Sequence, residues 1–152
     1  MMDDVRELYQ EVILDHSRRP RNYGEPPECN HCAHGENPLC GDKITVFLTI
    51  KDGVVEKAAF DGRGCAISIA SASLMTEMMT GMTVEDARDL FSRFHELVAG
   101  DAVAAAADWE ELDKLAVLSG VRAFPVRVKC ATLAWHTLNA ALRDRADTIS
   151  TE

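Results

Sequence analysis

Hydrophobic positions near the start of the chain repeat with the period of an α-helix. They share one helical face: Val5, Leu8, Tyr9 and Val12. The spacing predicts a helix from Asp3 to about His16, which Asp3 or Asp4 can cap by accepting a hydrogen bond from its first turn. The next segment, residues 18–39, holds four of the five prolines, so it is predicted to be a long wrapped loop.

In the middle of the chain the pattern changes to an alternation of every second residue. The repeated hydrophobic positions are Ile44, Val46, Leu48 and Ile50. This period of two predicts a strand over residues 43–50. Lys51-Asp52-Gly53 is typical of a tight turn, and residues 54–60 are predicted to form a second strand. Together these segments predict a β-hairpin.

Helical spacing returns after the hairpin. The hydrophobic stripe consists of Ile67, Ala70, Leu74 and Met78. It predicts a helix over residues 66–80, with Gly81 as its expected C-cap. Thr83 is the expected N-cap of the next helix, and residues 83–118 are predicted to hold two or three short helices.

The last hydrophobic stripe lies near the C-terminus. It predicts a helix that starts near Val128, and the tail after about Arg145 is expected to be frayed. The order of a helix, a hairpin and then several helices indicates the α+β class. We expect one compact domain over residues 1–152, with a core of about 3–145. In it, a small antiparallel sheet of two or three strands packs with the N-terminal helix and several C-terminal helices.

The composition, with 47% hydrophobic and 27% charged residues, is that of an ordinary globular protein. No run of 18 apolar residues occurs, so no membrane span is predicted. The acidic N-terminus lacks the basic leader of a signal peptide, so we expect a cytoplasmic protein.

The net charge of −9 makes nucleic acid a poor partner, because phosphate binding requires a basic patch. Residues 83–113 alone carry nine acidic residues and two arginines, and this acidic region could steer a basic protein partner.

The five cysteines are expected to be metal ligands or nucleophiles, because disulfides are rare in a reducing compartment. Three of them stand where two predicted elements meet. Cys40 precedes the first strand, Cys65 lies between the second strand and the helix after it, and Cys130 falls in the first turn of the last helix. The positive end of a helix favours thiolate, so we expect a lowered thiol pKa for Cys65 and Cys130.

Asp42 adds an oxygen donor to these thiols. It shares strand parity with Cys40, and Gly41 between them lets the backbone pass close to a bound ion. Three thiolates and one carboxylate suit a tetrahedral zinc ion, and the harder oxygen donor makes such a site more exchangeable than four cysteines. Three thiolates, one carboxylate and Zn²⁺ sum to about −2, an excess that Arg127 and Lys129 could offset.

A structural interpretation competes with the metal site. Free cysteines are among the most buried residues, and each of the three could be a small hydrophobic side chain. The positions 40, 65 and 130 match no short metal motif, so the residues alone leave both interpretations open.

Three segments carry a family resemblance. NPLCGDKI contains Cys40, GRGCAISIASASLMT contains Cys65 and FPVRVKCATLAWHTL contains Cys130; they closely resemble the signature segments of the U-type iron–sulfur cluster assembly family. The N-terminal LYQEVILDHSRRPRNYG resembles its SufU branch in particular, and the similarity runs from about Leu8 to Leu142. An extra helical stretch near residues 83–105 also resembles that branch. So does Lys129, where the IscU-like scaffold branch usually has a histidine.

The resemblance implies a SufE/IscU-like fold and a zinc ion bound by Cys40, Asp42, Cys65 and Cys130. It implies that a pyridoxal-phosphate cysteine desulfurase of the SufS type is the partner. A partner histidine would replace Cys40 on the zinc, and the freed thiolate would attack the desulfurase persulfide with help from Arg127. The implied activity is that of a zinc-dependent sulfurtransferase, a co-substrate and activator of the desulfurase that supplies a downstream iron–sulfur scaffold.

Two alternatives stay open. The same thiolates could transiently hold a [2Fe–2S] cluster, which would make the chain a scaffold for cluster assembly and transfer. The chain could also be a non-enzymatic zinc module that only docks a partner. Asp42 counts against that role, because structural zinc sites prefer shells of cysteine and histidine alone.

The segment CNHCAH, residues 29–34, departs from the family resemblance, because relatives usually have an apolar edge strand there. Cys29 and Cys32, with His31 and His34 beside them, could form a second metal or redox site. They could equally be incidental side chains of a variable loop, since the βαβ context of a redox C-x-x-C motif is missing. The departure also leaves the first strand of the sheet in doubt.

Overall fold

The computed structural model describes residues 11–38, 41–99, 125–143 and 148–150. Its α+β architecture confirms the predicted class. The N-terminal helix is confirmed over residues 11–18, and the part predicted before residue 11 lies outside the described residues. In chain order the elements are α1 (residues 11–18), β1 (His31–Asn37), β2 (Asp42–Lys51), β3 (Val54–Arg63), α2 (Ala66–Met79), α3 (Val84–Ala99), α4 (Pro125–Leu142) and β4 (Thr148–Ser150).

The sheet has the strand order β3-β2-β1-β4. Strands β1 and β3 run antiparallel to β2, and β4 runs parallel to β1. The predicted hairpin of β2 and β3 is confirmed. Its turn residues Asp52 and Gly53 have φ values of +54° and +76°, the two positive values that a type I′ turn requires. Ile44, Val46 and Leu48 are buried as their alternation predicts.

Strand β1 corrects the prediction of an unbroken loop over residues 18–39. Its inward positions hold Ala33, Gly35 and Asn37, all buried, while Cys32 and His34 face outward. The segment lacks the β-branched residues that favour strands in isolation. Pairing with β2 on one side and β4 on the other makes it a strand, so tertiary contacts override local preference.

The loop prediction is right for residues 19–30, which run outside the sheet. There the Phe60 N–H donates to the Asn22 carbonyl at 3.0 Å, and the Gly24 N–H donates to the Phe60 carbonyl at 2.7 Å. These bonds pair the loop with β3, whose outer edge would otherwise be open. Nearby, His16 Nδ1 and Ser73 Oγ lie 2.7 Å apart in a buried hydrogen bond that ties α1 to α2.

The core lies between the sheet and helices α2 and α4. The ring of Trp135 on α4 stacks on Phe94 of α3, with centroids 4.3 Å apart. The Trp135 indole N–H donates to Ser71 Oγ at 3.0 Å, and the Ser71 hydroxyl donates to the Ala131 carbonyl at 2.6 Å. This buried polar chain fixes α2 against α4 and so sets the relative positions of the residues at their N-terminal ends.

Three helix and tail predictions need correction. The last helix begins at Pro125 rather than near Val128, because proline is well suited to a first helical position. The tail is not frayed throughout, since Thr148–Ser150 forms β4. The first helix of the region 83–118 is not short: α3 has 16 residues, and the rest of that region lies outside the described residues.

The structure confirms the predicted caps between α2 and α3. Gly81 follows the C-cap residue Thr80 with a φ of +94°, the usual glycine position after a helix. Thr83 caps the next helix, because its hydroxyl accepts from the Asp86 N–H at 3.1 Å. Within the described part of the chain, no helix combines the length and apolarity needed to cross a bilayer.

A close contact between β1 and α4 generates the first prediction. A Cβ added to Gly35 would overlap Thr137 Oγ1 and lie 3.1 Å from Leu133 Cδ1. Overpacking of this kind costs about 1–3 kcal/mol, so Gly35→Ala should lower the free energy of unfolding in urea by that amount. Thr137→Ala removes the overlapping oxygen, and the double variant should regain part of the loss. Additive effects of the two substitutions would contradict the contact.

A histidine pair between α3 and α4 generates the second prediction. The ring of His136 lies 5.2 Å from that of Phe91 and 5.6 Å from that of His95. Burial first, and then the charge of His95, lower the pKa of His136 from its ordinary value of 6.5. The folded state therefore binds a proton at His136 less readily than the unfolded chain.

Stability at this contact should fall as the pH drops below 6.5, whereas above it the side chain is neutral in both states and contributes no pH dependence. We expect the melting temperature of the wild type to fall more steeply than that of His136→Phe between pH values of about 7.5 and about 5.5. Equal pH dependence in the two proteins would show that the pair has no such effect.

Candidate metal centre

Asp42 begins β2 and points its carboxylate inward. It is 1% exposed and pairs across the hairpin with Asn37, the last residue of β1. The Gly41 N–H donates to the Asn37 carbonyl at 2.9 Å, and Gly41 has a φ of +75°, a value that favours glycine. The tight connection between β1 and β2 therefore places the Asp42 carboxylate in the interior.

Cys65 donates hydrogen bonds to the Asp42 carboxylate. It is the N-cap of α2, with extended φ and ψ of −68° and 167°. Its backbone N–H donates to Asp42 Oδ1 at 3.0 Å, and its thiol lies 3.7 Å from Asp42 Oδ2. The Ser68 N–H donates in turn to Cys65 Sγ at 3.5 Å. Both oxygens of Asp42 thus face the positive end of α2, which stabilises a carboxylate.

Cys130 completes a group of three donors. It lies on α4 and is 4% exposed. One ligand atom each from Asp42, Cys65 and Cys130 lies within 4.8 Å of the other two, and among the described residues this is the only such group of three or more. Two sulfurs and one oxygen are three of the four donors that a tetrahedral zinc ion takes.

The position of Cys130 differs from the prediction. Because α4 begins at Pro125, Cys130 is its sixth residue and not part of the first turn. Of the two thiols, Cys65 alone lies at a helix N-terminus. Arg127 lies three residues before Cys130 on the same helix, and a spacing of three places the two side chains on one face. Arg127 is exposed.

Cys40, the remaining predicted ligand, lies outside the described residues. In sequence it belongs to the connection of residues 38–41 between β1 and β2, two residues from Asp42. Because Gly41 has a positive φ, strand parity does not relate the side chains of Cys40 and Asp42. Strand β1 replaces the last part of the loop that was predicted to lead up to Cys40.

The C-x-x-C segment does not form a second metal group among the described residues. His31 Nδ1 donates to the Ala141 carbonyl at 2.8 Å, and His34 Nδ1 lies 2.8 Å from Thr45 Oγ1, on the other face of the sheet. Burial is the main cause that raises the pKa of the Cys32 thiol, and neighbouring Cys29 adds to it. A raised pKa is the opposite of what a reactive cysteine shows.

Two residues next to the donors were not singled out from the sequence. A Cβ added to Gly64 would lie 2.7 Å from Asp42 Oδ1, so glycine is needed for the carboxylate to reach the end of α2. Ser68 is fully buried, and its backbone N–H donates to Cys65 Sγ. The run of small residues that contains both indicates close packing, but nothing in its pattern tells which of them lie next to the donors.

Comparison with known proteins gives a consistent family. Residues 8–94 match the family described as the NifU-like N-terminal domain. An iron–sulfur cluster assembly scaffold protein IscU from Streptococcus pyogenes serotype M1 is 37% identical over 146 residues, which cover 96% of this chain and 89% of that protein. The zinc-dependent sulfurtransferase SufU of Bacillus subtilis is 39% identical over 131 residues, which cover 86% of each chain.

A solved structure agrees with these matches. The crystal structure of a hypothetical protein superimposes with a TM-score of 0.82 at 38% identity, covering 90% of this chain and 98% of that one. Of the two relatives, one is named as an iron–sulfur cluster assembly scaffold protein and the other as a zinc-dependent sulfurtransferase.

The contact between Gly64 and Asp42 generates a third prediction. Gly64→Ala should destabilise the metal-free protein by about 1–3 kcal/mol, because the new methyl group would displace a carboxylate that is buried and hydrogen-bonded to the Cys65 N–H. In an Asp42→Ala background the same substitution should cost much less. Urea unfolding of the two single variants and the double variant measures this coupling. An equal cost in both backgrounds would show that the methyl group disturbs something other than Asp42.

Proposed function

The chain belongs to the family of the NifU-like N-terminal domain, and from this premise we propose that it is a zinc-dependent sulfur acceptor. It takes persulfide sulfur from a pyridoxal-phosphate cysteine desulfurase in the cytoplasm and passes it to iron–sulfur cluster assembly. One observation carries the proposal: two thiols and a carboxylate converge within 4.8 Å at a place where one thiol is exposed and the other two groups are buried.

The exposure of Cys65 separates this site from a purely structural one. Structural zinc sites are closed shells of cysteine and histidine, whereas reactive sites keep one side accessible. Here Gly64, Cys65 and Ala66 are all exposed, while Asp42 and Cys130 lie beneath them. A partner could reach the sulfurs from the side of the α2 N-terminus, which favours chemistry over a docking role alone.

The ligands of the zinc ion would be Cys40, Asp42, Cys65 and Cys130. The donor set fits the metal, because zinc accepts both sulfur and oxygen ligands. When bound, the ion supplies positive charge that keeps the thiols deprotonated at neutral pH. Three thiolates and a carboxylate around Zn²⁺ leave an excess of about two negative charges, which Arg127, on the same helix as Cys130, would partly offset.

Cys40 is the proposed acceptor. Its thiolate attacks the outer sulfur of the desulfurase persulfide, so that a new sulfur–sulfur bond forms on Cys40. The old sulfur–sulfur bond breaks and leaves the desulfurase cysteine as a thiolate. One sulfur atom moves and no net oxidation occurs. The Arg127 guanidinium would lie near the negative charge that remains on the transferred sulfur.

A scaffold role is the second candidate, and it is favoured by the IscU relative that matches 96% of this chain. In that role the same sulfurs would hold an iron–sulfur cluster. Lys129 occupies the position where IscU-like scaffolds usually have a histidine. This difference favours the sulfur acceptor over the scaffold. Anaerobic reconstitution followed by transfer of the cluster to an apo acceptor tests the scaffold directly.

The fourth prediction concerns sulfur acceptance. After incubation with a cysteine desulfurase and cysteine, mass spectrometry of the purified wild type should find one added sulfur atom on the peptide that contains Cys40. Cys40→Ser should lose this sulfur and the stimulation of desulfurase turnover by at least about 100-fold, because a serine hydroxyl does not ionise at neutral pH and cannot replace the thiolate.

Cys32→Ser is the matched control, since Cys32 is a free cysteine outside the three-donor group. It should accept sulfur and stimulate turnover as the wild type does, and both proteins should purify with about one zinc ion. Full stimulation by Cys40→Ser would reject the sulfur-acceptor role. A stable cluster that transfers from the wild type, with no stimulation of the desulfurase, would favour the scaffold.

A further inference from the structure

Ser68 has a hydroxyl with no hydrogen-bond partner among the described residues. The residue is 0% exposed and lies in the first turn of α2. A buried hydroxyl without a partner loses its bonds to water and gains none in return. Such groups are rare in native proteins, and each one calls for an explanation, such as a catalytic role, an ordered water or an ion.

The surroundings of Ser68 indicate which acceptor its hydroxyl could use. Its own N–H donates to Cys65 Sγ at 3.5 Å. The point where a Cβ on Gly64 would sit lies 3.2 Å from Ser68 Cβ and 2.7 Å from Asp42 Oδ1. Ser68 therefore contacts the sulfur of Cys65 and packs close to Gly64, which lies against the carboxylate, and its hydroxyl is a buried donor with no acceptor among the described residues.

We propose that Ser68 is a positioning residue whose hydroxyl donates to the Cys65 thiolate when the centre holds Zn²⁺. The inference rests on the proposed function, because it needs the metal-bound state. The Cys65 thiol lies 3.7 Å from Asp42 Oδ2, where it can donate its own proton, and a neutral thiol is a weak acceptor. A thiolate is a far stronger one.

Ser68 thereby offers two donors to one sulfur, its backbone N–H and its hydroxyl. Hydrogen bonds to a metal ligand from the surrounding protein orient the ligand, and their loss typically weakens metal affinity about 10–100-fold. The hydroxyl would thus lower the stability of the metal-free protein and raise the affinity for the metal. A purely structural serine would not have these two opposite effects.

Ser71 is the matched control, because it is also fully buried and lies one turn further along α2. Its hydroxyl donates to the Ala131 carbonyl and accepts from the Trp135 indole, so both of its roles are filled without metal. Ser71→Ala should lower the melting temperature of the metal-free protein and leave zinc affinity within about threefold of the wild type.

Ser68→Ala should do the reverse. We expect its metal-free melting temperature to equal or exceed that of the wild type by a few degrees, because the unpartnered hydroxyl is gone. Its zinc affinity, measured by competition with a chromophoric chelator, should fall about tenfold. With Co²⁺ in place of zinc, the sulfur-to-cobalt charge-transfer band should shift, since one hydrogen bond to the thiolate is lost.

The outcomes separate this inference from the function it rests on. If the wild type binds zinc, and Asp42→Ala and Cys65→Ser weaken that binding, an unchanged zinc affinity and charge-transfer band in Ser68→Ala overturn the role of Ser68 alone. A Ser68→Ala protein with a lower metal-free melting temperature also overturns it. If the wild type binds no zinc, or the two ligand variants bind it equally well, the proposed function fails together with this inference.

Discussion

The contact between the Asp42 carboxylate and the N-terminus of α2 is the constraint on which the candidate site depends. A carboxylate that is 1% exposed carries a desolvation cost that only hydrogen bonds and positive charge can offset. Cys65 supplies the hydrogen bonds, because its backbone N–H lies 3.0 Å from one oxygen and its thiol lies near the other, and the N-terminus of α2 supplies partial positive charge. The start of β2 and the start of α2 are therefore held together by the same atoms that would bind a metal.

A second connection brings Cys130 to this pair. The chain from Trp135 through Ser71 to the Ala131 carbonyl fixes α4 against α2 inside the core. Since Ala131 follows Cys130 directly, the thiol is positioned by buried packing and not by a flexible segment. The centre thus combines a rigid floor, made of Asp42 and Cys130, with an exposed rim at Cys65. Such a division is what the proposed function requires, because a bound ion would be held from below while a partner approaches from the exposed side.

Periodicity predicted the parts of the fold that local sequence determines. The β2–β3 hairpin follows from the alternation of residues 44–50 and from the turn at Asp52-Gly53, and α2 follows from its helical stripe and Gly81. The structure confirms both elements. Strand β1 was missed because its strand character comes from β2 and β4 beside it and from the close approach of α4 to Gly35. The start of α4 could have been found, because a proline at the first helical position is a recognised signal.

The same distinction applies within the site. Residue types and the family resemblance identified Asp42, Cys65 and Cys130 as donors, and their convergence follows from the connections of β2, α2 and α4. Ser68 and Gly64 could not be found in this way, because their importance lies in an unfilled hydrogen bond and a missing methyl group. Any ligand that binds only the folded state adds to its stability. In the role proposed for Ser68, metal binding would give its buried hydroxyl a partner, so the stability of the first turn of α2 would depend on occupancy of the centre.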